Sequence, residues 1–196
     1  MNVKAIFQAA KVKGVASPYD TIHLKIFYPA LISESSLEQN RGIFPADSQQ
    51  SPFKIVIFFN GINCSIESYQ WLAIKLAERG LVVVTFSWVA QNLPGIVAIT
   101  PGVDIKNLTP NTYGTVPTAS ALPTTLATLE GLQSVGILAG LLDLQHIILG
   151  GHSAGGRVAI ESADSRFFSQ VVAAFSYGAH SAAIAQLGYD AGTILP

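Results

Sequence analysis

Charged side chains are scarce in this sequence. Only 12% of its 196 residues are Asp, Glu, Lys or Arg, whereas a soluble domain carries roughly 25%. The 11 basic residues nearly balance the 12 acidic ones, so the net charge is −1. The sequence therefore lacks the excess of basic residues that would predict nucleic-acid binding. Apolar residues make up 49% of the chain. This composition excludes general disorder, because disordered chains combine low hydrophobicity with high net charge.

Cysteine is nearly absent, since Cys64 is the single one. One thiol forms no intrachain disulfide and no cysteine metal cluster, and no two histidines have the spacing of metal ligands. We therefore expect neither a metal nor another cofactor. The N-terminal residues lack the apolar core of a signal peptide, and Pro, Gly, Asn or Gln interrupt the uncharged stretches 81–103 and 107–129. The sequence predicts a cytoplasmic protein without a membrane span.

Short apolar runs alternate with helical patterns along the chain. The runs predict strands at residues 21–28, 55–59, 81–86, 146–149 and 171–175. Apolar spacing predicts helices from residue 65 to a terminating Gly80, from Pro123 through Leu132, and over residues 157–163. This alternation is typical of an α/β domain with an open, doubly wound and mostly parallel sheet. We interpret residues 1–196 as one such domain.

The strongest motif is G-x-S-x-G, which Gly151, Ser153 and Gly155 form between a predicted strand and a predicted helix. In such a turn the serine is strained and its hydroxyl is exposed above the sheet edge, while side chains in place of the glycines would clash. This context predicts that Ser153 is a catalytic nucleophile. The alternative is a glycine-rich turn that packs tightly or binds phosphate, although no G-x-G-x-x-G pattern is present.

With this motif in place, the chain from about residue 20 onward resembles the α/β-hydrolase superfamily. The segment FFNGINCSIESYQWLAIKLAERGLVVVTFSW is similar to the oxyanion turn, helix and next strand of the chlorophyllase-like, dienelactone-hydrolase-like and polyester-hydrolase-like branches. The resemblance implies a serine carboxylic-ester hydrolase that acts on a small-molecule ester through an acyl-enzyme. It also implies that the backbone N–H groups of Ile62 and Ala154 stabilise the oxyanion. Asn60 replaces a histidine common in relatives, so a plain βα loop is the alternative for Ile62.

A serine nucleophile needs a base and an orienting acid, which in this superfamily follow it in the order acid, then histidine. Glu161 lies roughly 12 Å down the predicted helix and Asp164 lies farther, so both are interpreted as solvated helix-end charges. His180 follows the last predicted strand and is interpreted as lining the pocket, as a base out of family order, or as an ordinary loop histidine. The resemblance places the acid and the base beyond residue 196. We therefore expect a domain truncated after the strand that follows the nucleophile helix, with little or no activity.

Residues 89–122 contain four prolines and three glycines without periodicity. With Trp88 they are interpreted either as part of the substrate pocket or as a disordered insertion. The truncated sheet would expose a strand edge, through which the chain could associate with itself. Two other functions remain open at this stage: a non-catalytic α/β-hydrolase-fold protein that binds a ligand or partner, and a nucleotide-binding domain.

Overall fold

The computed structural model describes residues 2–32, 35–42, 44–93, 96–103 and 116–179. This part of the chain contains strands and helices in alternation. The strands are β1 (Asn2–Lys11), β2 (Thr21–Ala30), β3 (Phe53–Phe59), β4 (Val82–Leu93), β5 (Ile96–Ile99), β6 (Leu142–His152) and β7 (Val171–Tyr177). The helices are α1 (Ser36–Arg41), α2 (Gln70–Ala77), α3 (Ala121–Ser134) and α4 (Ala154–Ser162). No helix in these residues is long and apolar enough to cross a membrane.

The strands form one mixed sheet in the order β1-β2-β4-β3-β6-β7, and β5 pairs with the outer part of β4. Strands β4, β3, β6 and β7 are parallel neighbours, whereas β1–β2, β2–β4 and β4–β5 are antiparallel pairs. The parallel strands at the centre contain runs of apolar residues because both of their faces are covered. The predicted α/β sheet, with its mostly parallel core, is confirmed.

Alternate residues of the central strands pack against different helices. Ile55 and Ile57 belong to the larger core, which includes buried leucines of α3. Val56, between them, belongs to a second cluster that contains Ala73 and Ala77 of α2. Successive side chains of a strand point to opposite faces, so the two clusters show that helices cover both faces of the sheet.

Helix α2 starts later than the sequence predicts but ends as expected. A 3₁₀ turn over Ile66–Tyr69 precedes it, so regular helix begins at Gln70 rather than at residue 65. Gly80 has φ 86° and donates its N–H to the Ala77 carbonyl at 3.0 Å. This left-handed position is where glycine is preferred after a helix.

Part of the predicted loop 89–122 is β-structure. Strand β4 continues past residue 86 to Leu93, and a hairpin pairs Val89 with Ile99 through β5. The apolar run of β5 is only four residues long and follows a proline and a glycine, so its sequence alone resembles a loop, and pairing with β4 defines it as a strand. Residues 94–95 and 104–115 of that predicted loop lie outside the described residues.

The structure places Trp88 in the core. Its side chain has 0% exposure, it pairs with Ile22 across β2 and β4, and its indole N–H donates to the Tyr19 carbonyl at 2.7 Å. The interpretation of Trp88 as a wall of the pocket is therefore wrong. A buried indole needs a hydrogen-bond acceptor, and the segment before β2 supplies it.

Candidate functional site

Ser153 is the single residue between β6 and α4. Its backbone has φ 54° and ψ −126°, a left-handed conformation that L side chains rarely adopt. Such a conformation costs on the order of 1–3 kcal/mol and persists only where the surrounding structure imposes it. The Ser153 N–H donates to the Tyr177 carbonyl at 3.2 Å, so the turn is fixed to the end of β7.

The surrounding structure imposes this turn through glycines. A Cβ atom on Gly151 would lie 2.3 Å from the carbonyl oxygen of Gly155. A Cβ atom on Gly155 would lie 2.3 Å from the carbonyl oxygen of Asn60 and 2.4 Å from that of Phe59. The end of β6, the start of α4 and the end of β3 thus approach to backbone contact, which brings Ser153 beside the turn that follows β3.

The turn after β3 is tight and well connected. The Cys64 N–H donates to the Gly61 carbonyl at 3.1 Å, and the Asn63 N–H donates to the Ile99 carbonyl at 2.8 Å. Asn63 has φ 60°, another left-handed residue. The Ile62 side chain is 49% exposed. Within the described part of the chain the Ile62 N–H has no acceptor, so it is available to a ligand.

Asn60 holds this turn against the segment that follows β5. Its side chain is 2% exposed, and its Nδ2 donates to the carbonyls of Gly61 at 3.0 Å and Thr100 at 2.9 Å. Within the part of the chain that the structure describes, its buried Oδ1 has no hydrogen-bond partner. The sequence indicated only that Asn60 stands where relatives commonly have a histidine. The structure shows that its buried amide joins two loops.

A second available donor lies at the start of α4. Ala154 is the first residue of that helix, and the first N–H groups of a helix have no intrahelical acceptor. The positive end of the helix dipole adds to the attraction of this N–H for negative charge.

Tyr69 and His152 form a polar contact behind these turns. The Gly61 N–H donates to the Tyr69 hydroxyl oxygen at 2.9 Å, and this oxygen lies 2.9 Å from Nδ1 of His152. Burial, together with a hydrogen bond to Cys64, raises the pKa of Tyr69. The helical spacing of the sequence assigned Tyr69 only to an apolar face. The one sequence feature that could have indicated a polar partner for Tyr69 is His152, the residue directly before Ser153.

The other ionisable groups are engaged elsewhere. Nδ1 of His146 and Oδ2 of Asp143 share a hydrogen bond at 2.8 Å near the start of β6, about 20 Å along the strand from the turn. Both carboxylate oxygens of Glu161 accept from the Thr118 hydroxyl at 3.0 Å. A hydrogen bond from Arg166 lowers the pKa of Asp164. Among the described residues no hydrogen bond joins a carboxylate–histidine pair to the serine, and His180 lies outside them.

No group of three or more His, Cys, Asp or Glu side chains in the described ranges is arranged to hold a metal ion. No family model matches the sequence, and no curated protein matches it either.

Solved structures do match. Dienelactone hydrolase from Anabaena variabilis aligns with a TM-score of 0.49 and 16% identity, over 90% of this chain and 64% of that one. FphF, a fluorophosphonate-binding serine hydrolase of Staphylococcus aureus, aligns with a TM-score of 0.50 and 14% identity, over 95% of this chain and 62% of that one. The chain has the α/β-hydrolase fold. It spans less than two thirds of the length of each of these structures.

The α/β-hydrolase fold explains why these residues meet. Strands β3, β6 and β7 are parallel, and they end at Phe59, His152 and Tyr177. The carboxyl ends of parallel strands lie at one edge of the sheet, where open α/β folds bind their ligands. The turns that carry Ile62 and Ser153 therefore share the edge at which chemistry is expected.

Proposed function

We propose that this chain carries the nucleophile and the oxyanion donors of a serine carboxylic-ester hydrolase. The Ser153 hydroxyl oxygen attacks the ester carbonyl carbon, and its proton passes to a base. The tetrahedral intermediate then expels the alcohol, which takes up a proton, and leaves an acyl-enzyme that water hydrolyses. The observation that most supports this proposal is the positive φ of Ser153 in a one-residue turn between β6 and α4.

The oxyanion of the intermediate is stabilised by the N–H groups of Ala154 and Ile62. In our proposal both groups point to the carbonyl oxygen as it becomes negative. Removing one such donor raises the barrier by about 3–4 kcal/mol. The absence of an acceptor for the Ile62 N–H in the described residues and the place of Ala154 at the start of α4 support this assignment, and the glycine contacts beside Asn60 support their proximity.

The base is the part of the machinery that the described residues do not supply. A serine hydroxyl is a weak nucleophile unless a histidine takes its proton and an acid orients that histidine. We therefore propose that the 196-residue chain by itself reacts slowly with esters. The same observation favours the second candidate function, a non-catalytic α/β-hydrolase-fold protein that binds a ligand or partner at this edge.

Hydrolysis of a short-chain p-nitrophenyl ester separates these functions. We expect only slow release of p-nitrophenol from the purified chain, at a rate close to that of Ser153→Ala, because without a base the acceleration comes from the oxyanion donors and from binding rather than from attack by the serine. Loss of the triad leaves a residual acceleration of roughly 10³–10⁴ over water in a serine protease. Fast release that Ser153→Ala leaves unchanged would contradict the proposed nucleophile.

The variant His180→Ala tests the remaining histidine after the serine. We expect it to hydrolyse the ester at the same slow rate as the unchanged chain. Fast turnover that both Ser153→Ala and His180→Ala abolish would identify His180 as the base, and it would contradict the expectation of weak activity.

A further inference from the structure

The hydroxyl of Tyr69 contacts the residue before each of the two groups that matter for the proposed reaction. Gly61, which donates its N–H to this hydroxyl at 2.9 Å, directly precedes Ile62. His152, whose Nδ1 lies 2.9 Å from the same oxygen, directly precedes Ser153. One side chain thus joins the oxyanion turn to the nucleophile turn.

Both bonds use the neutral form of tyrosine. Burial raises the pKa of Tyr69, so the hydroxyl keeps its proton at working pH. Its oxygen accepts from the Gly61 N–H and shares a second hydrogen bond with Nδ1 of His152, whose direction depends on the tautomer of the ring.

The contact is held by packing on both sides. Tyr69 is 4% exposed, and its ring lies 4.8 Å from that of Phe58. The His152 ring lies 4.7 Å from that of Tyr177. A Cβ atom on Gly61 would lie 3.1 Å from Nδ1 of His152 and 3.3 Å from the Tyr69 oxygen. Glycine at this position therefore lets the backbone approach the pair closely.

We propose that Tyr69 and His152 are positioning residues, and that their hydrogen bond fixes the distance between the Ser153 hydroxyl and the Ile62 N–H. The inference rests on the proposed function. It is carried by the two hydrogen bonds of one buried hydroxyl, whose partners are each one residue from the reacting groups. A misplacement of about 1 Å at such a site costs on the order of 100-fold in rate.

Removing the hydroxyl measures this coupling. We expect Tyr69→Phe to lower the second-order rate constant for reaction of Ser153 with a fluorophosphonate by roughly 10- to 100-fold. His152→Leu is expected to give the same loss. His152→Asn is expected to recover most of the rate, because its side-chain amide places a hydrogen-bonding atom close to the position of Nδ1. Equal losses in the Leu and Asn variants, or an unchanged rate in Tyr69→Phe, would overturn the proposal.

Tyr28→Phe is the matched control. The Tyr28 hydroxyl is buried and donates to the Phe44 carbonyl at 2.9 Å, so this variant also loses one buried hydrogen bond of a tyrosine. The bond lies at β2, away from both turns, and the fluorophosphonate rate is expected to stay unchanged. A loss in Tyr28→Phe as large as that in Tyr69→Phe would reduce the effect to general destabilisation and contradict a positioning role.

Hydrogen exchange gives a readout that does not depend on the reactivity of Ser153. In Tyr69→Phe the Gly61 amide loses its acceptor and exchanges faster whether or not the two turns are coupled. The amides of residues 152–154 therefore provide the test of coupling. The proposal predicts faster exchange there in Tyr69→Phe and unchanged exchange in Tyr28→Phe. Unchanged exchange at 152–154 in both would overturn it. If the unchanged chain does not react with the fluorophosphonate, the proposed function fails, and these amides alone decide whether the two turns are coupled.

Discussion

Gly155→Ala is expected to destabilise the protein by about 3 kcal/mol, at the upper end of the usual cost of overpacking. The added methyl would lie 2.3 Å and 2.4 Å from two backbone carbonyl oxygens, of Asn60 and Phe59. Backbone atoms cannot rotate away as the end of a side chain does, so β3 and α4 must separate. The measurement is the midpoint of urea unfolding, and we expect the reaction of Ser153 with a fluorophosphonate to be lost in parallel.

Gly131→Ala provides the control for this prediction. Gly131 also lies in a helix, α3, and a Cβ atom there has nothing within 4 Å. Alanine is favoured over glycine in a helix by roughly 0.5–1 kcal/mol, so this variant should be slightly more stable and equally reactive. Similar unfolding midpoints for the two variants would contradict the close approach of α4 to the end of β3.

Ser153→Gly is expected to stabilise the fold while it abolishes reactivity. The φ of 54° at this position strains any residue with a Cβ atom, and glycine releases about 1 kcal/mol or more of that strain. Ser153→Ala retains the Cβ atom, so it is expected to lose the reactivity without any gain in stability. Urea unfolding of the three proteins checks this order. A Gly variant less stable than the unchanged chain would show that Ser153 is not held under strain.

The sequence predicted the parts of the fold that depend on local signals. Uninterrupted apolar runs located β3, β4, β6 and β7, because strands covered on both faces need apolar side chains throughout. The spacing of Gly151, Ser153 and Gly155 predicted a sharp turn between a strand and a helix, and a turn of that kind lies there. These signals are contained within a few consecutive residues.

The features that the sequence did not predict depend on contacts between residues that are distant in the chain. Strand β1 lies at a sheet edge with Phe7 exposed, so its apolar pattern is weak and its pairing with β2 defines it. The contact between Tyr69 and His152 joins residues 83 positions apart. Trp88 was assigned to a pocket because it is aromatic and borders an irregular segment, whereas its burial comes from packing against β2. Periodicity contains no information about any of these contacts.

The identity of the serine that reacts tests whether Ser153 is the nucleophile. The purified chain is treated with a fluorophosphonate, digested, and analysed by mass spectrometry to locate the phosphonate. A fluorophosphonate transfers its phosphonyl group to the serine oxygen while the fluoride and the serine proton leave, and the negative oxygen that develops occupies the oxyanion site. The account predicts a single label on Ser153, slow to form and absent from Ser153→Ala. A label on another serine, or no label on Ser153 after prolonged exposure, would contradict it.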